Sequence, residues 1–349
     1  MTFTAFLTHL LFAISLTCLS VLLTRYMLVQ VRVMDLPNDR SSHAQPTPKS
    51  GGIAIVATFL VGVAIIFLVG ERTQIRQDYF LGFITSALLI AGISLYDDIY
   101  NKPFVIKLAT QLLAVVLVLA FGIVIDRIAL PYLGQLELGF WGYPLSFLWI
   151  LGLTNAFNFM DGLDELVGNI AVIVCALFCA ITFNEGSTFV YITCYALLAG
   201  ALGFLFYNFP PARIFMGDVG SAFLGFTFAV LAIIAARYDH SHTSFMVMPL
   251  LLFNLIYDTF FTFMRRLFKG ERVIDAHRTH LYQLLNRLGY SHRTVSLIHA
   301  GMCVLQGIAA MWMVSITGSE RTLVFIPFLL FQLLYSYVII TRARAAGLV

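Results

Sequence analysis

Apolar blocks of roughly 17 to 24 residues, separated by short polar stretches, recur along the whole chain. A helix needs about 20 such residues to cross the hydrocarbon layer, where every backbone N–H and C=O must be paired within its own segment. The blocks therefore read as spans near residues 4–24, 52–70, 79–96, 104–125, 144–159, 167–183, 188–207, 219–236, 244–264, 295–316 and 322–341. The expected fold is an all-α polytopic membrane protein of about 11 transmembrane helices, one membrane domain over residues 1–349, with its chemistry in the cytoplasmic loops. Composition agrees: 60% of residues are hydrophobic and 11% charged, against about 25% charged in an ordinary soluble domain.

Charge sets the orientation. With the N-terminus outside, 16 of the 21 Lys and Arg fall in inside segments, the exceptions being Arg72, Arg76, Arg127, Arg237 and Arg321, as the positive-inside rule requires. The first span has no basic residue before Arg25 and reads as a retained helix rather than a signal peptide. The five cysteines lie within apolar spans, without metal-site or disulfide spacing. The net charge of +3 reflects the inside loops and implies no nucleic-acid partner. Glycines and a proline between residues 126 and 143 suggest a small hairpin on the outer face.

Six of the eighteen acidic residues, Asp97, Asp98, Asp161, Asp164, Glu165 and Asp218, occupy three short inside turns at span ends. Carboxylates beside hydrocarbon are costly unless a cation compensates them. Asp97 and Asp98 face Lys107 and Gln111, which share one face of the fourth helix at i, i+4; the plainer alternative is a salt bridge from Asp98 to Lys102 or Lys107. Asn155, Asn158, Asp161 and Asp164 recur at intervals of three, so a helix lines them along one face, although Asn and Asp beside Gly162 also suit a helix cap. Asp218 and Ser221 open the eighth helix, whose free N–H groups favour an anion such as phosphate, with an N-cap role for Asp218 as the competitor. His277 and His280 lack a third ligand spaced for zinc; with Arg278 they better suit a phosphate or sugar site. Asp258 is the one acid well inside a span, where it pairs with Arg265 or serves packing.

Taken together, these clusters resemble the polyprenyl-phosphate N-acetylhexosamine-1-phosphate transferases, a family that includes the muramoyl-pentapeptide transferase of peptidoglycan synthesis. Asp35-Leu-Pro-Asn-Asp-Arg-Ser-Ser-His43 followed by Pro48-Lys-Ser-Gly-Gly52 resembles the family's first inside loop. Asp97-Asp98 with Lys107 and Gln111 resembles its second, Asn155 to Asp164 its third, and Phe215-Met-Gly-Asp-Val-Gly-Ser221 its fourth. Asp258 with Arg265 and Arg266 is similar to its ninth helix, and Ala276 to Gln283 to the branch that starts O-antigen or other surface glycans. Two departures stand out: Glu165 replaces a usual glycine, which would alter nucleotide or sugar contacts, and Lys102 replaces a common leucine.

The resemblance implies transfer of a sugar-1-phosphate from a UDP-sugar to undecaprenyl phosphate, with release of UMP, at the cytoplasmic face of a bacterial inner membrane. It implies magnesium, with manganese as a substitute, held by Asp218 and Asp161. Asp97 and Asp98 would lie at the lipid phosphate, with Asp97 a candidate base, although a phosphate already ionised at neutral pH scarcely needs one. Lys107, His277 and His280 would offset phosphate charge. Asn155, Asn158, Asp164, Arg278, His43 and Lys49 would bind substrate. The bilayer is a partner, and pairing into a homodimer is a further expectation. The rivals are a muramoyl-pentapeptide-type transferase and a polytopic transporter of lipid-linked sugars, which would place its ionisable groups nearer the bilayer midplane. The identity of the sugar is open.

Overall fold

The computed structural model describes residues 3–31, 33–37, 45–69, 75–100, 104–272 and 277–349. His43, Asn38, Arg40, Lys102 and Asp275 lie outside the described residues. A helix covers each expected span: α1 (Phe3–Gln30), α2 (Gly51–Val69), α3 (Gln77–Tyr100), α4 (Phe104–Ala120), α5 (Gly142–Met160), α6 (Leu166–Asn184), α7 (Val190–Asn208), α8 (Gly217–Arg237), the pair α9 (Val247–Leu251) and α10 (Phe253–Phe268), then α12 (His292–Ser315) and α13 (Phe325–Ala345). A short α11 (Leu281–Arg287) lies between α10 and α12. Among the described residues, eight of these helices are long and apolar enough to cross a membrane. The molecule is thus an all-α, multi-pass membrane protein.

Two antiparallel ribbons complete it. Strand β1 (Met34–Asp35) pairs with β2 (Thr47–Pro48) ahead of α2, and β3 (Arg127–Leu130) pairs with β4 (Gly134–Glu137) in the hairpin expected between α4 and α5.

Helix α8 is the axis of the bundle. Every residue from Val219 to Ala235 is buried, which explains why its sequence is apolar on all sides. Helices α2, α3 and α5 pack around it. The Trp149 indole of α5 donates to the Ala229 carbonyl at 3.0 Å. Against α2 the two backbones nearly touch: a Cβ on Gly52 would lie 2.3 Å from the Gly220 nitrogen, the close approach that small residues permit between membrane helices. By contrast α1 buries only the stripe Leu16, Ser20 and Thr24, with Ser20 Oγ donating to the Gly200 carbonyl of α7 at 2.6 Å.

The ninth expected span is broken at Leu252 rather than continuous. Buried backbone freed by a break must find other partners, and α12 supplies them. Cys303 Sγ donates to the Leu251 carbonyl at 3.4 Å. The Gln306 amide, suitably oriented, donates to Leu251 O at 3.3 Å and accepts from Asn254 N at 3.2 Å.

The α2–α8 contact is testable. Gly52→Val would overpack a backbone-to-backbone seam, where the usual cost is about 1–3 kcal/mol; a clear drop in melting temperature in detergent is expected, whereas the same substitution at Gly92, with open space around it, should leave the melting temperature nearly unchanged.

Candidate active site

The site forms where the start of α8 meets the ends of α3 and α5. The chain entering α8 is strapped to the segment before α2: Phe215 N donates to Pro48 O at 2.7 Å, Gly51 N to Phe215 O at 3.0 Å and Gly52 N to Met216 O at 2.8 Å. Gly217 then turns with a φ of 70°. A Cβ there would meet Lys49 O at 2.3 Å and Asp98 Oδ2 at 2.8 Å, so both conformation and space require glycine. The first turn of a helix leaves N–H groups without intrahelical partners. Here Asp98 of α3 takes two of them, accepting from Asp218 N at 3.3 Å and Val219 N at 3.1 Å. Lys49 Nζ stands 3.5 Å from Asp98 Oδ1.

This geometry revises three expectations. The anion at the start of α8 is the Asp98 carboxylate, not a vacant phosphate position. Asp98 pairs with Lys49, and Lys107 with Asp218 instead. Asp218 lies inside the first turn, after the cap position of Met216, so it is not an N-cap.

Its carboxylate faces α4 and α5 instead. Lys107 Nζ bonds Asp218 Oδ2 and donates to Asn158 Oδ1 at 3.1 Å. Asn158 Nδ2 donates to Asp218 Oδ1 at 2.7 Å and lies 3.0 Å from Ser221 Oγ. One turn away Asn155 Nδ2 donates to Gln111 Oε1 at 3.0 Å. The expected polar faces of α4 and α5 thus meet as two rungs, Lys107 with Asn158 and Gln111 with Asn155.

Asp161 follows α5 and is half-buried. Burial, then the carboxylates of Asp218, Asp98, Asp164 and Asp35, push it up to about 8, so its ionised form is favoured only when positive charge is added nearby. Asp97, half-buried, projects about 100° around α3 from Asp98. Among the described residues no three His, Cys, Asp or Glu side chains gather as a ready-made metal cage. The donors are nevertheless hard carboxylate oxygens, a set whose ionised form an added cation favours. It fits magnesium held by one or two carboxylates, with substrate and water oxygens completing the shell.

Asp164 is tied to two neighbouring segments. Its Oδ2 accepts from Ala212 N at 3.2 Å and its Oδ1 lies 3.3 Å from His292 Nδ1. Glu165 adopts a φ of 55°, the left-handed region that favours glycine. Its side chain is buried and its N–H donates to Asn208 Oδ1 at 2.9 Å. Asn208 also donates to Ile214 O at 2.8 Å, tying the Asp161 turn to the Asp218 turn; sequence spacing gave no sign of this role for a lone asparagine at a helix end.

Residues 277–283 pack over the Asp161 turn. Asp258 accepts from Leu281 N at 2.8 Å and Tyr282 N at 3.0 Å and lies 3.3 Å from His280 Nδ1. It therefore anchors the start of α11 rather than pairing with Arg265, which donates to Thr279 O at 2.6 Å. The His277 and His280 rings stack with centroids 4.9 Å apart, and His280 stacks on Phe159 at 6.1 Å. Tyr282 Oη donates to Phe159 O at 2.8 Å. Arg278 lies in the same turn, its carbonyl accepting from Arg287 at 3.2 Å. Burial, with His280, Arg266 and Arg265 adding to it, lowers His277 to about 4. A neutral imidazole there offers hydrogen bonds.

The model of glycosyl transferase family 4 matches residues 80–236, which hold Asp98, Lys107, Asn158, Asp161 and Asp218. A probable undecaprenyl-phosphate N-acetylglucosaminyl 1-phosphate transferase of Bacillus subtilis is 32% identical over 77% of this chain and 74% of its own length. This chain belongs to glycosyl transferase family 4. Other family members align as well: a decaprenyl-phosphate N-acetylglucosaminephosphotransferase of Mycobacterium tuberculosis is 30% identical over 75% of this chain and 71% of its own length. An undecaprenyl-phosphate alpha-N-acetylglucosaminyl 1-phosphate transferase of Salmonella typhi is 26% identical over 93% and 88%. Lys49, His277 and His280 fall outside the matched segment.

The depressed His277 makes folding pH-dependent with a defined sign. Its proton is bound more tightly in the unfolded chain, near 6.5, than in the folded one, near 4; stability is therefore lost as pH falls from about 6.5 towards 4. His277→Gln should flatten that acid limb of melting temperature against pH, and an unchanged slope would count against the assignment.

Proposed function

We propose that this family 4 enzyme transfers a sugar-1-phosphate from a UDP-sugar to undecaprenyl phosphate at the cytoplasmic face of a bacterial inner membrane, forming a lipid-linked pyrophosphate sugar that starts a cell-surface glycan. The observation that carries this reading is the gathering of Asp98, Asp161 and Asp218 with Lys49 and Lys107 at one corner of the bundle, from five separated stretches of chain. N-acetylglucosamine 1-phosphate is the favoured group, because the relatives reported above are named for it. Those names support the surface-glycan branch over the muramoyl-pentapeptide one. Asp258, the acid within a span, is spent on anchoring α11, which counts against a transporter reading.

Chemically, a lipid-phosphate oxygen attacks the phosphorus bearing the sugar, the bond from that phosphorus to the bridging oxygen breaks, and UMP leaves with that oxygen and its charge. Phosphoryl transfer depends mostly on positioning and charge neutralisation. Asp218 and Asp161 would hold magnesium, which when bound draws charge from the phosphate oxygens. Lys107 and Lys49 neutralise the two anions as they approach. Asn158 fixes the Asp218 carboxylate, and Asp98 fixes the start of α8. An already ionised phosphate nucleophile needs no base, so Asp97 acts through charge. His280 and Arg278, next to the Asp161 turn, bind donor phosphate or sugar.

Purified protein given UDP-N-acetylglucosamine, undecaprenyl phosphate and magnesium should release UMP. Asp218→Asn should lower that rate by at least about 100-fold, the scale on which one electrostatic stabiliser of a transition state acts, while the protein still inserts and folds. Near-normal turnover of the variant would sink the assignment. Asp97→Asn should lose less activity than Asp218→Asn; complete loss with unchanged lipid binding would instead identify Asp97 as a base.

A further inference from the structure

The Lys107 ammonium sits where a cation would meet Asp218. It bonds Asp218 Oδ2 and donates to Asn158 Oδ1 at 3.1 Å, while Asn158 Nδ2 occupies Asp218 Oδ1 at 2.7 Å. Both oxygens of the carboxylate are therefore engaged, one of them by a full positive charge. Lys107 is only 8% exposed, so water screens the pair weakly. An ammonium and a divalent ion at contact distance from one oxygen repel strongly in such a site. Nor is Asp98 a ready alternative partner for the lysine, because it already serves two α8 N–H groups and Lys49.

We propose that Lys107 is a built-in counter-ion: it neutralises Asp218 in the empty site and yields that carboxylate to a divalent cation when a phosphate oxygen offers the ammonium a new partner. This rests on the function proposed above and adds to it a coupling between the two ligands. Divalent cation alone must displace the lysine and binds weakly. Once the lipid phosphate is present, displacement costs little, so phosphate tightens cation binding and, reciprocally, cation tightens phosphate binding. A hydrolytic or wasteful state, with the cation in place and no acceptor, is thereby kept rare.

The test is equilibrium binding of Mn2+ to the full chain in detergent, read by the EPR signal of the free ion, for wild type, Lys107→Gln and Lys107→Met. Both variants should bind Mn2+ alone more tightly than wild type, by about fivefold or more. Added undecaprenyl phosphate should tighten binding to wild type more than to either variant. Melting gives an independent readout: without metal both variants should melt below wild type, because Asp218 has lost its counter-ion, and saturating Mn2+ should close most of that gap. Equal or weaker Mn2+ binding by both variants, or a melting deficit that Mn2+ leaves untouched, would overturn the proposal. Asp218→Asn separates the two levels. If it leaves wild-type Mn2+ affinity unchanged, the metal assignment fails and this inference with it; if it abolishes binding while the Lys107 variants match wild type, only the counter-ion role fails.

Discussion

A fully buried helix must do something with the N–H groups of its first turn, and in this protein a carboxylate from a neighbouring helix meets that demand. Asp98 accepts from Asp218 N and Val219 N, and in doing so it fixes α3 against α8 at the level of the site. The rest is set by that bond. Lys49 is drawn to Asp98, Gly217 leaves room for both, and Asp218 is turned away from the cap towards Lys107 and Asn158. A cap made across helices is thus also what aims the Asp218 carboxylate.

The electrostatics of the corner follow. Asp161 is held high by burial and by its acidic neighbours, and Asp218 survives as an ion pair through Lys107. Such an arrangement is poorly balanced by itself, since repulsion among carboxylates is relieved only by added positive charge. The imbalance is a reason for the fold to place so many rigid elements around the cluster, with α4, α5 and α8 each giving one side of it.

Much of this was legible in the sequence because membrane helices announce themselves by length and polarity. The i, i+4 spacing of Lys107 and Gln111 and the interval of three between Asn155 and Asn158 put each pair on one helix face, though the first was expected opposite Asp97 and Asp98 and instead meets the second. What spacing could not give was the choice of partner across the bundle. Asp98 met Lys49, from a strap before α2, rather than the helix neighbour Lys107, because β1–β2 pairing and the Phe215–Gly51 bond deliver Lys49 there. Asp258 likewise took two backbone N–H groups of α11 in place of Arg265. The break at Leu252 left no mark in the apolar pattern, since its repair comes from Cys303 and Gln306 on another helix. Glu165 had the opposite history: its departure from glycine was visible, and the structure adds the backbone torsion that goes with it.

The seam between Gly52 and Gly220 bears on how a long isoprenoid reaches the interior. With the two main chains separated by less than the girth of a methyl group, no prenyl tail can thread between α2 and α8. That flank of the barrel of helices is sealed, and whatever hydrophobic cargo arrives from the lipid must approach from another quarter.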